Sequence, residues 1–346
     1  MSVLLSRLLA DDAVLPQGAI DAAISGVTAD SRQVRPGFLF AALPGAKVDG
    51  AQFIPQAVEA GAAAVITGKS AAAPQARSIL IKSENPHQLF ARIASRFAGS
   101  QPDTIVAVTG TNGKTSVAAF VRQIWQSMGF RAASIGTVGI VGPAGEEYLA
   151  HTTPDPVKLH HALASLKQDH VTHLAMEASS HGLAQFRLDG VQLAAGGFTN
   201  LTRDHLDYHA SFEDYFAAKM RLFSELLPEG APAVINADVE IACDVVARAT
   251  VHGLTIFSVG EKGSNLKLVS CMRDGFGQRL VLATASGQHE IYLPLVGDFQ
   301  VSNALVAAGL VIATGGEEAL VLHALESLKG AKGRLDLVAH SAKGAP

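Results

Sequence analysis

Gly110-Thr111-Asn112-Gly113-Lys114-Thr115-Ser116 is the stretch whose reading decides the fold. It follows an apolar run, Thr104 to Val108, and opens a segment with helical spacing, Lys114 to Met128. A strand that feeds a glycine-rich turn and then a helix is the setting a phosphate-binding loop needs. Glycine lets backbone N–H groups turn inward on an anion, and the helix N-terminus adds partial positive charge. Lys114 would reach the β- and γ-phosphates of a nucleotide, and the Thr115 hydroxyl would ligate Mg2+. The general pattern carries a further glycine five residues before Gly113. Val108 stands there, so the loop is the variant GxxGKT.

On the C-terminal side the pattern alternates. Ala132 to Ile140, Val171 to Met176, Leu193 to Phe198, Ala233 to Asn236 and Leu254 to Val259 predict strands. Helices are predicted over Val157 to Leu166 and Phe212 to Leu226. This order predicts a mostly parallel sheet with helices on both faces. Val269 to Leu295 predicts shorter strands at an antiparallel edge, and helices near Asn303 to Ala313 and Glu317 to Leu328 close the domain. On the N-terminal side, Gly99-Ser100-Gln101-Pro102 reads as a linker. Before it, strands over Gly37 to Leu43 and Ala62 to Thr67, a helix over Phe53 to Ala60, a loop at Ser70 to Pro74 and an amphipathic helix over Pro86 to Phe97 make a small α/β unit. The chain has 346 residues, more than one core usually organises. The expected division is 1–98, a small amino-terminal α/β domain; 99–330, a central phosphate-loop domain; and 331–346, a stub.

Composition excludes several classes. Net charge is −4, which argues against the clustered cations of a nucleic-acid binder. Hydrophobic residues make up 48% and charged residues 17%, a folding composition. Neither cysteine, Cys243 or Cys271, has a neighbour at CxxC spacing, so a disulfide framework is not expected. The start of the chain is too short and too acidic for a signal peptide. The longest apolar run, Val301 to Thr314, falls below the ~20 residues of a membrane helix. A cytoplasmic protein without nucleic-acid or membrane partners is expected.

Three further segments carry chemistry. Glu177 ends a predicted strand in Met176-Glu177-Ala178-Ser179-Ser180-His181-Gly182, and strand C-termini line the ligand crevice of open parallel sheets. It can hold Mg2+, or simply cap a helix beside the serines. Asp204-His205-Leu206-Asp207-Tyr208-His209 follows another strand and reads as a polar active-site loop or as a solvated turn. His205 would be the less usual nitrogen ligand, since Mg2+ prefers oxygen. Lys219 lies on a helix whose apolar side carries Phe212, Phe216 and Phe223; a helix lysine is ordinarily solvated.

Together these segments resemble the Mur ligase family. The resemblance rests on Thr28-Ala29-Asp30-Ser31-Arg32 with Pro36 to Phe40, on Asp49-Gly50, on residues 110–116, on His151-Thr152-Thr153-Pro154-Asp155, on Glu177 to Leu183 and on Thr199 to His209. The GTNGKT loop is shared with folylpolyglutamate synthases. The segments at 151–155 and 177–183 point to the member that adds the third residue of the peptidoglycan stem.

The resemblance implies a set of roles. Ala29 and Ser31 would meet the uridine. Thr152, Thr153, Ser179, Gln185 and Arg187 would hold UDP-N-acetylmuramoyl-L-alanyl-D-glutamate. Gly110, Thr111, Asn112, Gly113, Lys114, Thr115 and Ser116 would bind ATP, with Asn303 at the adenine and Arg334 at a hinge near the nucleotide. Thr115, Glu177, His205 and a Lys219 carbamylated by CO2 would place Mg2+. Lys114, Glu177, His205 and Lys219 would form the catalytic set. The chemistry implied is ATP-dependent amide-bond formation through an acyl phosphate, with a diamino acid as incoming amine; meso-diaminopimelate is the commoner choice and L-lysine the other. In the family a third, dinucleotide-fold domain follows near the point where Gly344-Ala345-Pro346 closes this sequence. The expectation is therefore a monomeric, truncated chain that binds substrates without completing ligation alone. A folylpolyglutamate synthase-like ligase and a non-catalytic phosphate-loop binding protein are the alternatives.

Overall fold

Leu39 and Ala41 pack in one apolar core while Phe40 and Ala42 pack in another, the period of two that a strand buried on both faces requires. The strand lies in the first of two compact units, which comprises residues 1–101, 155–165 and 185–191. The computed structural model describes residues 2–45, 48–69, 78–202 and 208–334. The expected loop at Ser70 to Pro74 and the segment with Asp204, His205 and Asp207 lie outside the described residues.

In this unit α1 (Leu5–Leu9) precedes β1 (Gly26–Thr28) and β2 (Phe38–Ala42), followed by α2 (Ile54–Glu59), β3 (Ala64–Gly68), β4 (Ile79–Ser83) and α3 (Pro86–Ala98). The four strands are parallel, in the order β1-β2-β3-β4. Asn85 caps α3 by accepting from the Gln88 N–H, and Pro86 starts it, both standard helix-start chemistry. Strands β1, of three residues, and β4, Ile79-Leu80-Ile81-Lys82-Ser83, were not among the strands expected from the sequence. Two segments from later in the chain also belong here. Gln88 Nε2 donates to Asp189 Oδ1 at 2.9 Å, and Ser95 Oγ to the Gly190 carbonyl at 2.8 Å.

The second unit comprises 102–154, 166–184 and 192–346. Its elements are β5 (Thr104–Thr109), α4 (Lys114–Ser127), β6 (Ala132–Gly136), β7 (Gly139–Gly142), β8 (Gly145–Glu147), the end of α5 (Pro156–Gln168), β9 (His173–Glu177), α6 (Ser180–Ala184), β10 (Leu193–Phe198), α7 (Phe212–Arg221), β11 (Pro232–Asn236), α8 (Ala242–Val251), β12 (Thr255–Gly260), β13 (Leu266–Asp274), β14 (Gly277–Thr284), β15 (Gly287–Leu293), α9 (Asp298–Ala313) and α10 (Glu318–Leu325). Eleven strands form one sheet in the order β8-β7-β6-β9-β5-β10-β11-β12-β13-β14-β15. The stretch from β6 to β13 is parallel, and both edges are antiparallel.

Helices cover both faces of this sheet. A Cβ on Gly196 would meet Leu222, Phe223 and Leu227, whereas one on Gly197 would meet Val306 and Leu310. The paired glycines let the chain pack closely on both sides. The α/β class with a mostly parallel sheet is thus as expected. Three expectations change. Ala132 to Ile140 is two antiparallel strands around the turn Thr137-Val138, with Gly136 paired to Gly139. The antiparallel edge has the longest strands among the described residues, not shorter ones; much of β13 is exposed, so its polar residues hide the strand pattern. The helix from Phe212 leaves α geometry at Leu222 and ends in a wider π turn to Leu226. No helix among the described residues is long and apolar enough to cross a membrane.

His160 reports on the first unit. It is buried, with Nε2 3.3 Å from the Asp189 carbonyl, and burial lowers its pKa to about 4. The unfolded chain therefore binds the proton more readily than the fold between about pH 6.5 and 4. Stability is present above that window and is lost as pH falls through it, by about 3 kcal/mol. Urea unfolding across this range should show the loss, and His160→Gln should flatten it.

Candidate active site

The loop after β5 lies at the topological switch point: the chain passes from β5 to β6 on one side, and β10 lies on the other. Gly110 adopts φ 145°, and a Cβ there would stand 2.0 Å from Thr199 Oγ1. Segment 199–202, at the end of β10, clasps the loop. Thr111 N–H donates to the Asn200 carbonyl at 2.9 Å, and Asn112 N–H to Asn200 Oδ1 at 2.9 Å. Thr199 Oγ1 donates to the Asn112 carbonyl at 2.6 Å. The Thr111 hydroxyl accepts from Thr202 N–H at 2.9 Å and lies 3.0 Å from Tyr215 OH. Thr111 thus faces inward, and an anion would meet the first turn of α4, whose N–H groups no helical carbonyl takes.

Two lysines meet on one oxygen. Lys114 Nζ donates to the Gly110 and Thr111 carbonyls at 2.8 and 2.7 Å. Lys219 Nζ, from α7, donates to the same Gly110 carbonyl at 2.8 Å and lies 4.3 Å from the Tyr215 ring centroid. Lys219 is 1% exposed, which corrects the ordinary expectation of a solvated helix lysine. Its helix packs onto the loop, so the side chain has only the protein to reach.

Glu177 ends β9 directly opposite Val108 of β5. It is 1% exposed, and its carboxylate accepts from Thr137 N–H at 2.7 Å and from Thr137 Oγ1 at 3.2 Å. Among the described residues no cationic side chain pairs with it. A buried carboxylate is expected to be paired or to coordinate a metal. Thr115 lines the same cavity of about 630 Å3 as Glu177, so carboxylate and hydroxyl oxygens suited to Mg2+ share one space. The donor set fits that ion.

The 151–155 segment is tied to this strand end. Thr153 Oγ1 donates to the Glu177 carbonyl at 3.0 Å and lies 3.0 Å from Ser179 Oγ, and Thr152 Oγ1 is 3.1 Å from Thr137 Oγ1. On the other flank, Asn303 Oδ1 is 2.2 Å from where a Gly113 Cβ would stand. Asn303 Nδ2 donates to Gln300 Oε1 at 3.2 Å, and Gln300 Nε2 to the Arg334 carbonyl at 3.3 Å. The Arg334 side chain is exposed.

The second unit therefore gathers residues 110–116, Thr152, Thr153, Glu177, Ser179, Lys219, Asn303 and Arg334. Ala29, Ser31, Gln185 and Arg187 belong to the first unit. There Ser31 Oγ donates to Gln56 Oε1 at 3.1 Å, and Arg187 holds Gln185 Oε1 at 2.6 Å. His205 is outside the described residues. Sequence reading missed Thr137, Asn200, Tyr215 and Gln300. Only Gly136 and Gly139, flanking a two-residue hairpin turn, carried a local signal for the first of these.

A phosphate loop at the switch point of a parallel sheet, flanked by a buried lysine and a buried carboxylate, defines a nucleotide-binding protein of the phosphate-loop class. Residues 108–311 match the Mur ligase middle domain and residues 23–98 the Mur ligase family catalytic domain. The chain belongs to the Mur ligase family. It is 51% identical over 331 residues to the UDP-N-acetylmuramoyl-L-alanyl-D-glutamate–2,6-diaminopimelate ligase of Brucella melitensis, covering 96% of this chain and 68% of that one. The ligase of the same description from Mesorhizobium japonicum is 52% identical over 326 residues, covering 94% and 67%. A solved structure of a ligase so described superposes with TM-score 0.86 at 27% identity, covering 99% of this chain and 70% of that one.

Gly110→Ala places a methyl group against Thr199 in a backbone region that side chains rarely adopt. Calorimetry should show a loss of about 2 kcal/mol in stability, and titration should show weaker ADP binding. Wild-type values in both would show that the clasp does not shape the loop.

Proposed function

We propose that this chain serves ATP-dependent addition of meso-diaminopimelate to UDP-N-acetylmuramoyl-L-alanyl-D-glutamate in peptidoglycan synthesis. The observation that carries the reading is the placing of opposite charges at the ends of adjacent strands: two lysines converge on the Gly110 carbonyl, and the buried Glu177 carboxylate ends the neighbouring strand. The names of the relatives supply the substrates.

In this reading the γ-phosphoryl group passes from ATP to the side-chain carboxylate of D-glutamate, leaving ADP and an acyl phosphate. The amine of the incoming residue attacks the acyl carbon, phosphate departs and the amine loses a proton. Two anions must approach in the first step. Lys114 would exchange its own loop carbonyls for phosphate oxygens, and the first turn of α4 would donate to them. Mg2+, held by Thr115 and Glu177, would neutralise charge on those oxygens. His205 is proposed as a further metal ligand. The Lys219 ammonium would lose one proton to become the amine, and the amine would add to CO2 and lose a second, leaving a carbamate whose anionic oxygens replace the positive charge. Thr111 and Asn112 would shape the loop. Asn303 would meet the adenine and Arg334 the nucleotide's edge. Ala29 and Ser31 would hold the uridine, and Thr152, Thr153, Ser179, Gln185 and Arg187 the muramoyl dipeptide.

Calorimetric titration tests this. The chain should bind an ATP analogue with Mg2+, and also the UDP-muramoyl dipeptide. Lys114→Ala should weaken the nucleotide at least about tenfold and leave the dipeptide unaffected. Absence of dipeptide binding would sink the substrate assignment. Carbon-13 bicarbonate should give a carbamate resonance that Lys219→Gln removes.

A further inference from the structure

Strands β6 and β9 run parallel with Ile135 opposite Met176, so the next residues, Gly136 and Glu177, stand side by side. A Cβ on Gly136 would lie 2.0 Å from Glu177 Oε1; its absence lets the carboxylate press against the turn. The chain then reverses at Thr137-Val138 to enter β7. This reversal aims the Thr137 N–H at Oε1, at 2.7 Å, and its hydroxyl at Oε2, at 3.2 Å. One residue thereby holds both carboxylate oxygens, in charge-assisted bonds.

A hydroxyl carries a single proton. The Thr137 proton goes to Glu177, so the 3.1 Å contact between Thr137 Oγ1 and Thr152 Oγ1 is donated by Thr152. The Thr152 proton is then spent as well. What Thr152 offers a ligand is its lone pairs. Thr137 is exposed and Thr152 part-exposed, so this chain of hydroxyls can be reached by a ligand.

We propose that Thr137 is a positioning residue with two tasks. It fixes the Glu177 carboxylate for the cation of the nucleotide complex, and it orients Thr152 to accept a hydrogen bond from an amide N–H or hydroxyl of the acceptor substrate. The first task rests on the reading above, that Glu177 holds the cation. One hydroxyl then joins the metal–nucleotide side of the site to the acceptor side.

The test is Mn2+ titration of the whole chain with saturating ADP, with free Mn2+ followed by electron paramagnetic resonance. Thr137→Val keeps the shape and the N–H bond and cuts the hydroxyl chain. It should lower Mn2+ affinity about tenfold, with Thr137→Ser restoring it to within about twofold. ADP affinity without metal should be the same in parent, Val and Ser forms, which a folding defect would not allow. Thr137→Val should also weaken the UDP-muramoyl dipeptide severalfold, again with rescue by Ser. If Glu177→Gln loses Mn2+ while Thr137→Val keeps it, the positioning role of Thr137 is overturned and the reading of Glu177 stands. If Glu177→Gln keeps Mn2+, the reading of Glu177 itself fails, and the first task with it. An unchanged dipeptide affinity in Thr137→Val overturns the second task.

Discussion

The Gly110 carbonyl oxygen, at the end of β5, receives the ammonium groups of both Lys114 and Lys219. Like charges brought together in a partly buried place repel, and the cost is met by acceptor oxygens or by an anion among them. Much of the surrounding structure serves that meeting. Residue 110 must be glycine, because Thr199 occupies the place of its Cβ. Segment 199–202 takes the Thr111 and Asn112 N–H groups, which fixes the carbonyls that face the lysines. The Tyr215 ring lies beside Lys219, where a cation gains from the aromatic face.

The opposite charge is treated in the mirror-image way. Glu177 is as buried as Lys219 and sits on the adjacent strand, held by the turn between β6 and β7. A parallel sheet brings its strand ends out on one side, so one loop with a cation and one strand end with an anion become neighbours through topology alone. The glycines of β10 let helices approach from both faces, so these strand ends are backed by packed side chains. Positions on such a scaffold hold a site more tightly than a free loop would.

Several features were legible along the chain because their signals are local. The strand–loop–helix at 104–128, the amphipathic helix from Pro86 and the succession of apolar runs each depend on residues a few positions apart. They were enough for the α/β class and the phosphate loop, and the resemblance rests on motifs of the same short reach. The Thr137 turn, the exposed strand β13 and the π turn after Arg221 were misread. The first is a hairpin folded inside one apolar run, the second a strand whose exposed residues hide its pattern, and the third a change of helix geometry that residue spacing does not mark.

The sequence by itself determined which residue types were present for the chemistry: glycines for a tight loop, a lysine and a threonine at a helix start, a glutamate after an apolar run. Only the tertiary structure decided which of them meet. Lys219 lies far along the chain from Gly110, and Asn200 from Asn112, yet each pair is in hydrogen-bond contact. Which segment owns a residue was also decided there, since 155–165 and 185–191 pack with the first unit despite their place in the chain. The reason is physical: spacing along a helix or strand encodes neighbours within a turn or two, whereas strand order and burial are set by the sum of many weak contacts across the fold.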